Sequence, residues 1–452
     1  MTTAILKHPI GKTYPVVSHG KGIFLYDVEG RDYVDGSSGA MTANIGHGVE
    51  EIADVMHEQA NKVAFAFFGQ FSNEPAENLA AKLASLAPGD LNWVSFVNSG
   101  SEASEYAIRL VLNYWRSKGL PGKVKILGRH TSYHGVTMGA ISMSGHAPRR
   151  ADYGPLLHPF PVVPPAYAYR FAGDLSETDY ARKCAQDWED ALLKEGVDTV
   201  AAVIAEPIVG AAGGVLMPPA GYFKMLREVC DRLGVLLIMD EVITGLGRTG
   251  AWFASIDEGI VPDIITTGKG TSAGYTPMAA IIVHEHIVAT LRQDSSAPPY
   301  GHTFSGNPLG AAVSLAVLNY VERENLLENA RQRGEELRAG LEALSQRYSH
   351  MVDIRGRGLL WGFEFVMDRA SRQAPDANRN TSTTFVADCF DNGLIVYPAG
   401  VAPFNNAVLI SPPLIISRDE VQELLRRLDA ALATMNARID GWVRDKGRPA
   451  GA

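Results

Sequence analysis

Between residues 76 and 283 the chain alternates short, almost uninterrupted apolar runs with amphipathic stretches of helical period, and this rhythm constrains the fold more than any other feature. PAENLAAKLASLA is helical, WVSFVN is a strand and SEASEYAIRLVLNYWRSKG is helical again. TVAAVIAEP, the helix GYFKMLREVCDRLG closing on Gly234, VLLIMDE, DIITTGKG and MAAIIVH continue the pattern. A strand that is apolar along its whole length is covered on both faces, and strands separated by helices pair in parallel. The expected fold class is therefore α/β, with a mostly parallel central sheet in a large domain.

The two ends of the chain read differently. Short β-like runs at Gly22 to Tyr26 and Arg31 to Val34 alternate with turn signals at Glu29-Gly30 and Asp35-Gly36. MVDIRGRGLLWGFEFV, NGLIVYP and VLISPPL repeat that mixed character near the C-terminus, before an amphipathic helix from Arg418 to Asp440. One long helical stretch from Pro308 to about Arg347 leads out of the large domain. The economical reading is a small α+β domain built from both ends, residues 1–60 and 331–452, around a large domain of residues 61–330.

Composition removes several function classes. Hydrophobic residues make up 46% and charged residues 20% of 452, as in an ordinary globular protein and unlike a disordered one. Against 50 acidic residues stand 41 Lys and Arg, a formal charge of −9, so no basic surplus exists to neutralise nucleic-acid phosphates. Cys184, Cys230 and Cys389 are odd in number and widely spaced, which argues against a disulfide framework and for a reducing, cytoplasmic setting. The opening MTTAILKHPIGKTYP has no signal-peptide pattern, and no apolar run approaches the length of a membrane span.

Three segments carry chemistry. Asn98-Ser99-Gly100-Ser101-Glu102-Ala103 joins a strand to a helix, and the free N–H groups and dipole of a helix N-terminus favour an anion such as phosphate. The competing reading is an N-cap with a capping-box Glu. Asp240 follows the run VLLIM, at the carboxyl end of a strand, where open parallel sheets place ligands. Lys269, between Gly268 and Gly270, follows another strand, where desolvation would lower its pKa and make it a Schiff-base nucleophile. A phosphate cradle, a carboxylate and such a lysine on neighbouring strand ends meet the needs of pyridoxal phosphate.

Four patterns compete with this reading. Gly245-Leu246-Gly247-Arg248-Thr249-Gly250 matches the dinucleotide fingerprint GxGxxG, but AWFASIDEG after it is too short for a crossover helix. Gly270-Thr271-Ser272-Ala273-Gly274 matches the hydrolase elbow GxSxG, yet a strand-like run follows instead of a helix. His130 and His134 are four apart in a loop-like segment without the Glu of a zinc motif, so no metal is expected. Phe65, Phe67, Phe68 and Phe71 read as core or as a substrate pocket.

The ordered motifs NSGSEA (98–103), YHG (133–135), AEPIVG (205–210), MDEVITGLGRTG (239–250), GKG, HTFSGNP (302–308) and RGRGLLWG (355–362) resemble those of class III aminotransferases of the pyridoxal phosphate fold-type I group. The resemblance runs over essentially the whole chain. It implies that Lys269 holds the cofactor aldehyde, that Asp240 pairs with the pyridinium nitrogen, and that Ser99, Gly100 and Ser101 hold the phosphate. Tyr133 and Val242 would flank the ring, with Glu206 beside it. Thr303 would reach the cofactor of a neighbouring subunit, which makes a homodimer part of the site and leaves pairing of dimers into tetramers open. Met41, Phe68, Tyr133 and Ala211 are the implied substrate contacts.

Departures from the family pattern bear on substrate. Members that use 2-oxoglutarate typically carry Gln in the EPxQG segment and Glu two residues later, where this chain has Val209 and Ala211. Ile243 and the segment NYW at 113–115 resemble the pyruvate-linked ω-aminotransferases, although Met41 replaces a common Trp. Those enzymes also carry a flexible Arg some ten residues before a Pro-Pro pair. VAPFNNAVLIS, before Pro412-Pro413, has none, so either Arg149, Arg150 or Arg170 takes over or the donor has no carboxylate. The expected function is transfer of an amino group from an amine or ω-amino compound to a keto acid, pyruvate above all, in a ping-pong cycle. An aminomutase or decarboxylase would use the same lysine and aspartate. A nicotinamide oxidoreductase or a serine hydrolase would rest on one decoy motif alone, and a non-catalytic binding module would have no use for Lys269 and Asp240.

Overall fold

The computed structural model describes residues 4–6 and 10–446, so residues 1–3 and 7–9 of the opening segment and 447–452 at the end lie outside the described residues. Its centre is a seven-stranded sheet in the order Trp93–Val97, Ala279–Val283, Ile264–Thr266, Leu236–Asp240, Val200–Ala205, Lys125–Arg129, Val162–Val163. The last five in this order pair in parallel, whereas Ala279–Val283 runs antiparallel to both neighbours. Two reversals restore the direction, so Trp93–Val97 points the same way as the parallel strands and ends on the same edge of the sheet.

Both faces of this sheet are covered, which is why its strands lack the alternation of half-exposed ones. In Leu236–Asp240, Leu237 and Met239 enter one apolar cluster, while Leu236 and Ile238 enter the cluster on the opposite face. The helix Gly100–Ser117 closes the second face, and its Trp115 indole donates to the Ala201 carbonyl at 2.8 Å. The helix Tyr222–Leu233 covers the first and ends on Gly234, whose φ of 61° is the left-handed conformation favoured at helix ends.

A second sheet joins Val17–Lys21, Phe24–Asp27 and Asp32–Asp35 to Leu394–Ile395 from the other end of the chain, the last pair in parallel. A third, antiparallel sheet contains Met351–Arg357, Leu360–Phe365, Ala407–Ile410 and Tyr397–Ala399. The helical stretch expected from Pro308 to Arg347 is two helices, Pro308–Arg323 and Leu326–Arg347, broken at Asn325 with φ 52°. Asn tolerates that left-handed conformation because its short polar side chain hydrogen-bonds locally. The final helix runs from Arg418 to Lys446, longer than the sequence pattern indicates. Among the described residues, no helix is long and apolar enough to cross a membrane, and all three cysteines are buried and free.

Candidate active site

The carboxyl ends of the central strands converge on one cavity of about 120 Å³. Its walls include Gly100 and Ser101, Tyr133 and His134, Glu206, Asp240 with Val242, and Lys269, so five strand-end segments far apart in sequence contribute.

Asp240 is the last residue of its strand and is 5% exposed. Its Oδ2 lies 2.7 Å from His134 Nδ1, and its Oδ1 accepts from the Val242 N–H and the Thr266 hydroxyl, both at 3.2 Å. An ionised carboxylate only accepts, so the proton of the His134 pair sits on Nδ1. The opposite nitrogen, Nε2, is buried and has no protein partner. Glu206, just beyond the next strand, accepts from the Tyr133 N–H at 2.9 Å and the Gly210 N–H at 3.0 Å. Burial pushes its carboxyl above the usual range.

Lys269 has φ 43°, in the left-handed region that non-glycine residues seldom adopt. Burial pushes its ammonium below the ordinary lysine range, against the opposing pull of Asp240 and Glu206. The neighbouring Gly270 has no room for a side chain, since a Cβ there would meet the Asn44 amide at 2.2 Å. Asn44 is itself gripped by the buried Arg248, which donates to Asn44 Oδ1 at 2.7 Å, to Ser38 Oγ at 3.1 Å and to the Leu359 carbonyl at 3.0 Å. Burial lowers the Arg248 guanidinium to about 9.

At the Asn98–Ala103 segment the capping reading holds, and it leaves room for an anion. Ser99 is the N-cap and accepts from the Glu102 N–H at 3.3 Å, while Glu102 reaches back to the Asn98 N–H at 2.7 Å. The N–H groups at the start of the helix still have no intrahelical partner. A Cβ on Gly100 would come within 3.0 Å of Val242, and one on Gly135 would meet Ser101 Oγ at 2.6 Å. These glycines keep a cradle open beside the helix N-terminus, as a phosphate requires.

The remaining sequence candidates divide. Thr303 is exposed in the loop after Gly301 and does not border the cavity. Phe68 packs over Gly306 and lines a separate cavity of about 720 Å³ with Tyr300 and His302. Met41 is buried behind the wall with Ile208 and Ile243, and Ala211 is partly exposed, its carbonyl accepting from the Gly400 N–H.

His134, considered from sequence only as half of a metal pair, is the partner of Asp240; its place next to Tyr133 in YHG was the available signal. The GLGRTG segment is a scaffold: it supplies Arg248, and only the four-residue helix Ala254–Asp257 follows it. Ser272 of GTSAG is buried, donates to the Thr276 carbonyl, and leads into the strand Ala279–Val283.

The family described as aminotransferase class-III matches residues 6–432. The uncharacterized aminotransferase YodT of Bacillus subtilis is 40% identical over 442 residues, 97% of this chain and 99% of that one. The taurine–pyruvate aminotransferase of Rhodobacter capsulatus is 35% identical over 430 residues, 93% and 92% of the two chains. Among solved structures, a thermostable (S)-enantioselective omega-transaminase from Thermomicrobium roseum superposes with a TM-score of 0.90 at 36% identity, covering 95% and 96%. The omega-transaminase of Pseudomonas jessenii, solved in complex with PMP, gives 0.91 at 32% identity, covering 96% and 97%.

Proposed function

Because the chain belongs to the class III aminotransferases, fold-type I enzymes that depend on pyridoxal phosphate, we propose that it moves the amino group of an amine or ω-amino compound to pyruvate in a ping-pong cycle. The observation that carries this reading is the convergence of Lys269, Asp240 and the helix N-terminus at Gly100 on one cavity. Pyruvate as acceptor is supported by Val209, Ala211 and Ile243 and by the similarity to taurine–pyruvate aminotransferases.

The residues fit pyridoxal phosphate. Ser99, Gly100 and Ser101 would hold its phosphate on free backbone N–H groups, and Thr303 of a second copy would complete that subsite in a homodimer. Exposure of Thr303 together with Phe65, Phe68, Phe304 and Tyr300, an apolar patch unusual for a lone chain, supports such pairing. Tyr133 and Val242 would flank the ring, and Met41, Phe68 and Ala211 would shape the substrate end. When bound, pyridoxal phosphate supplies an aldehyde that exchanges amines and a ring that takes up the electron pair of the bond broken at the amine-bearing carbon.

The protein groups do the rest. Asp240, oriented by His134 and Thr266, would pair with the ring nitrogen and favour a proton there. Lys269 would hold the aldehyde, and its amine, when released, is the group placed to carry a proton between the donor carbon and the cofactor. Burial lowers the pKa of that amine, which favours the neutral, nucleophilic form. Glu206 fixes the backbone of Tyr133 and so the wall of the cavity. We include in this proposal the large domain of residues 61–330 and the small domain of residues 1–60 and 331–452, supported by the pairing of Asp32–Asp35 with Leu394–Ile395, and a cytoplasmic location.

The test is the near-visible absorption of the purified protein. A band that bleaches with a primary amine, returns with pyruvate and is missing in Lys269→Ala is the expected result. A protein that stays colourless after incubation with pyridoxal phosphate, or a strong preference for 2-oxoglutarate over pyruvate, overturns the corresponding half of the reading.

A further inference from the structure

The segment before Pro412-Pro413 offers no arginine for a substrate carboxylate, and the structure sorts the three candidates that could replace it. Arg150 is spent: its Nη1 donates to the carbonyls of Ile141, Ser142 and Ser144 at 2.7 to 2.9 Å. Arg170 is also spent, in a buried pair with Glu364. Arg149 is left. Among the described residues it forms no ion pair with a carboxylate, and its guanidinium carbon sits 4.4 Å from the centre of the Tyr133 ring. Tyr133 in turn borders the cavity that holds Lys269.

We infer that Arg149, over the ring of the cavity-lining Tyr133, binds the carboxylate or sulfonate of acidic substrates. The inference rests on the transaminase reading and names the substrate class of that same site. A guanidinium over a ring still presents edge N–H groups; one side of Arg149 interacts with the Tyr133 hydroxyl, and the fork on the other side matches a planar carboxylate. The neighbourhood holds it there. Arg150, on the same short helix Ala147–Arg150, is fastened to three carbonyls. Just before that helix, Gly145 lies so close to the Arg129 carbonyl that a Cβ would meet it at 2.1 Å. Arg149 also adds its positive charge to the field that lowers the Lys269 pKa, which places both in one electrostatic environment. Pyruvate brings a carboxylate into every turnover, so this site would be used even when the donor is a plain amine.

The test uses the holoenzyme as wild type, Arg149→Leu and Arg149→Lys. Calorimetric titration with propionate and with methanesulfonate, unreactive anions, reads binding without turnover. Arg149→Leu should weaken one or both anions about tenfold or more, and Arg149→Lys should fall between. Weakening of propionate alone marks a carboxylate site, and of methanesulfonate alone a sulfonate site. In steady state, kcat/KM for pyruvate and β-alanine should fall about 10- to 100-fold relative to that for a primary amine without an acid group. Equal affinities for both anions in wild type and Arg149→Leu overturn the inference, as does a parallel loss with acidic and neutral donors. Bleaching of the wild-type band by the neutral amine is the separate control: its failure would sink the transaminase reading, while the anion titration still judges Arg149.

Discussion

Asp240 and Glu364 are both buried carboxylates fully engaged by donors, yet they sit in different kinds of place. Asp240, at the end of a central strand, takes His134, Val242 and Thr266 and borders a cavity shared with Lys269. Glu364, in the antiparallel sheet, takes Arg355 at 2.9 Å, the Arg170 Nε at 3.1 Å, the Tyr167 hydroxyl and Asn406. Its carboxyl, which burial pushes up to about 8, ties three distant segments together. Burial and saturation are common to both, so neither marks function by itself. What separates them is a neighbouring space in which a ligand can sit and an amine with no hydrogen-bond partner among the described residues.

Variants that remove each kind of group should break differently. Lys269→Ala should lower kcat by at least about 10³-fold with little change in thermal stability, because it removes a nucleophile and proton carrier without leaving a buried charge unpaired. Parallel kcat and melting measurements check this. Glu364→Ala should do the reverse. Arg170 would lose its carboxylate and Arg355 would keep only Asp353, a loss of about 3–5 kcal/mol in denaturant unfolding, while activity per folded molecule persists. If Glu364→Ala silenced turnover at unchanged stability, the contrast between the two regions would fail.

His134→Phe sharpens the contrast by touching Asp240 alone. A hydrogen bond to a charged group is worth about 1.5–3 kcal/mol, so kcat should fall about 10- to 100-fold while KM for pyruvate stays near its wild-type value. A rise in KM with kcat intact would instead place His134 in substrate binding.

A subtler effect concerns His146, whose ring meets Tyr133 edge-on and lies within reach of the Arg149 charge. Burial, with Arg149 second, lowers its imidazole to about 4 from the ordinary 6.5. Below the ordinary value the unfolded chain takes up a proton that the folded one refuses, so stability drains away as pH falls from about 6.5 to about 4. His146→Gln should remove about 1–2 kcal/mol of that dependence, less than the full shift because the ring is partly open to water. Unfolding curves at pH 7 and pH 5 would show it as a smaller loss in the variant than in wild type.

Much of the site was legible because each contributing strand is a continuous apolar run that ends abruptly on polar or glycine residues. That rule located Asp240, Lys269 and the Asn98–Ala103 segment and predicted the edge of the sheet where they meet. Pairings set by tertiary contact were not legible. His134 and Asp240 are 106 residues apart, and nothing local to either announces the other. The fates of Arg149, Arg150 and Arg170 depend on which carbonyls and carboxylates fold against them. The antiparallel direction of Ala279–Val283 is hidden for a related reason, since a strand buried on both faces has the same apolar pattern in either direction. The break at Asn325 hid because Asn is tolerated within helices as well as at their ends.

The smallest effect is expected at Ser272, and it completes the contrast from the other side. Its motif promises a nucleophile, but a nucleophile needs a base and an open approach, and this hydroxyl has neither. It is buried, its proton goes to the Thr276 carbonyl, and the chain continues into a strand instead of the helix that would form an elbow. Ser272→Ala should therefore cost about 1 kcal/mol of stability for one lost hydrogen bond and change kcat by less than about twofold. Loss of turnover on this substitution would mean that the spare reactive group in this molecule is the hydroxyl and not the amine of Lys269, and the division between cavity-facing and structural polar groups would have to be drawn elsewhere.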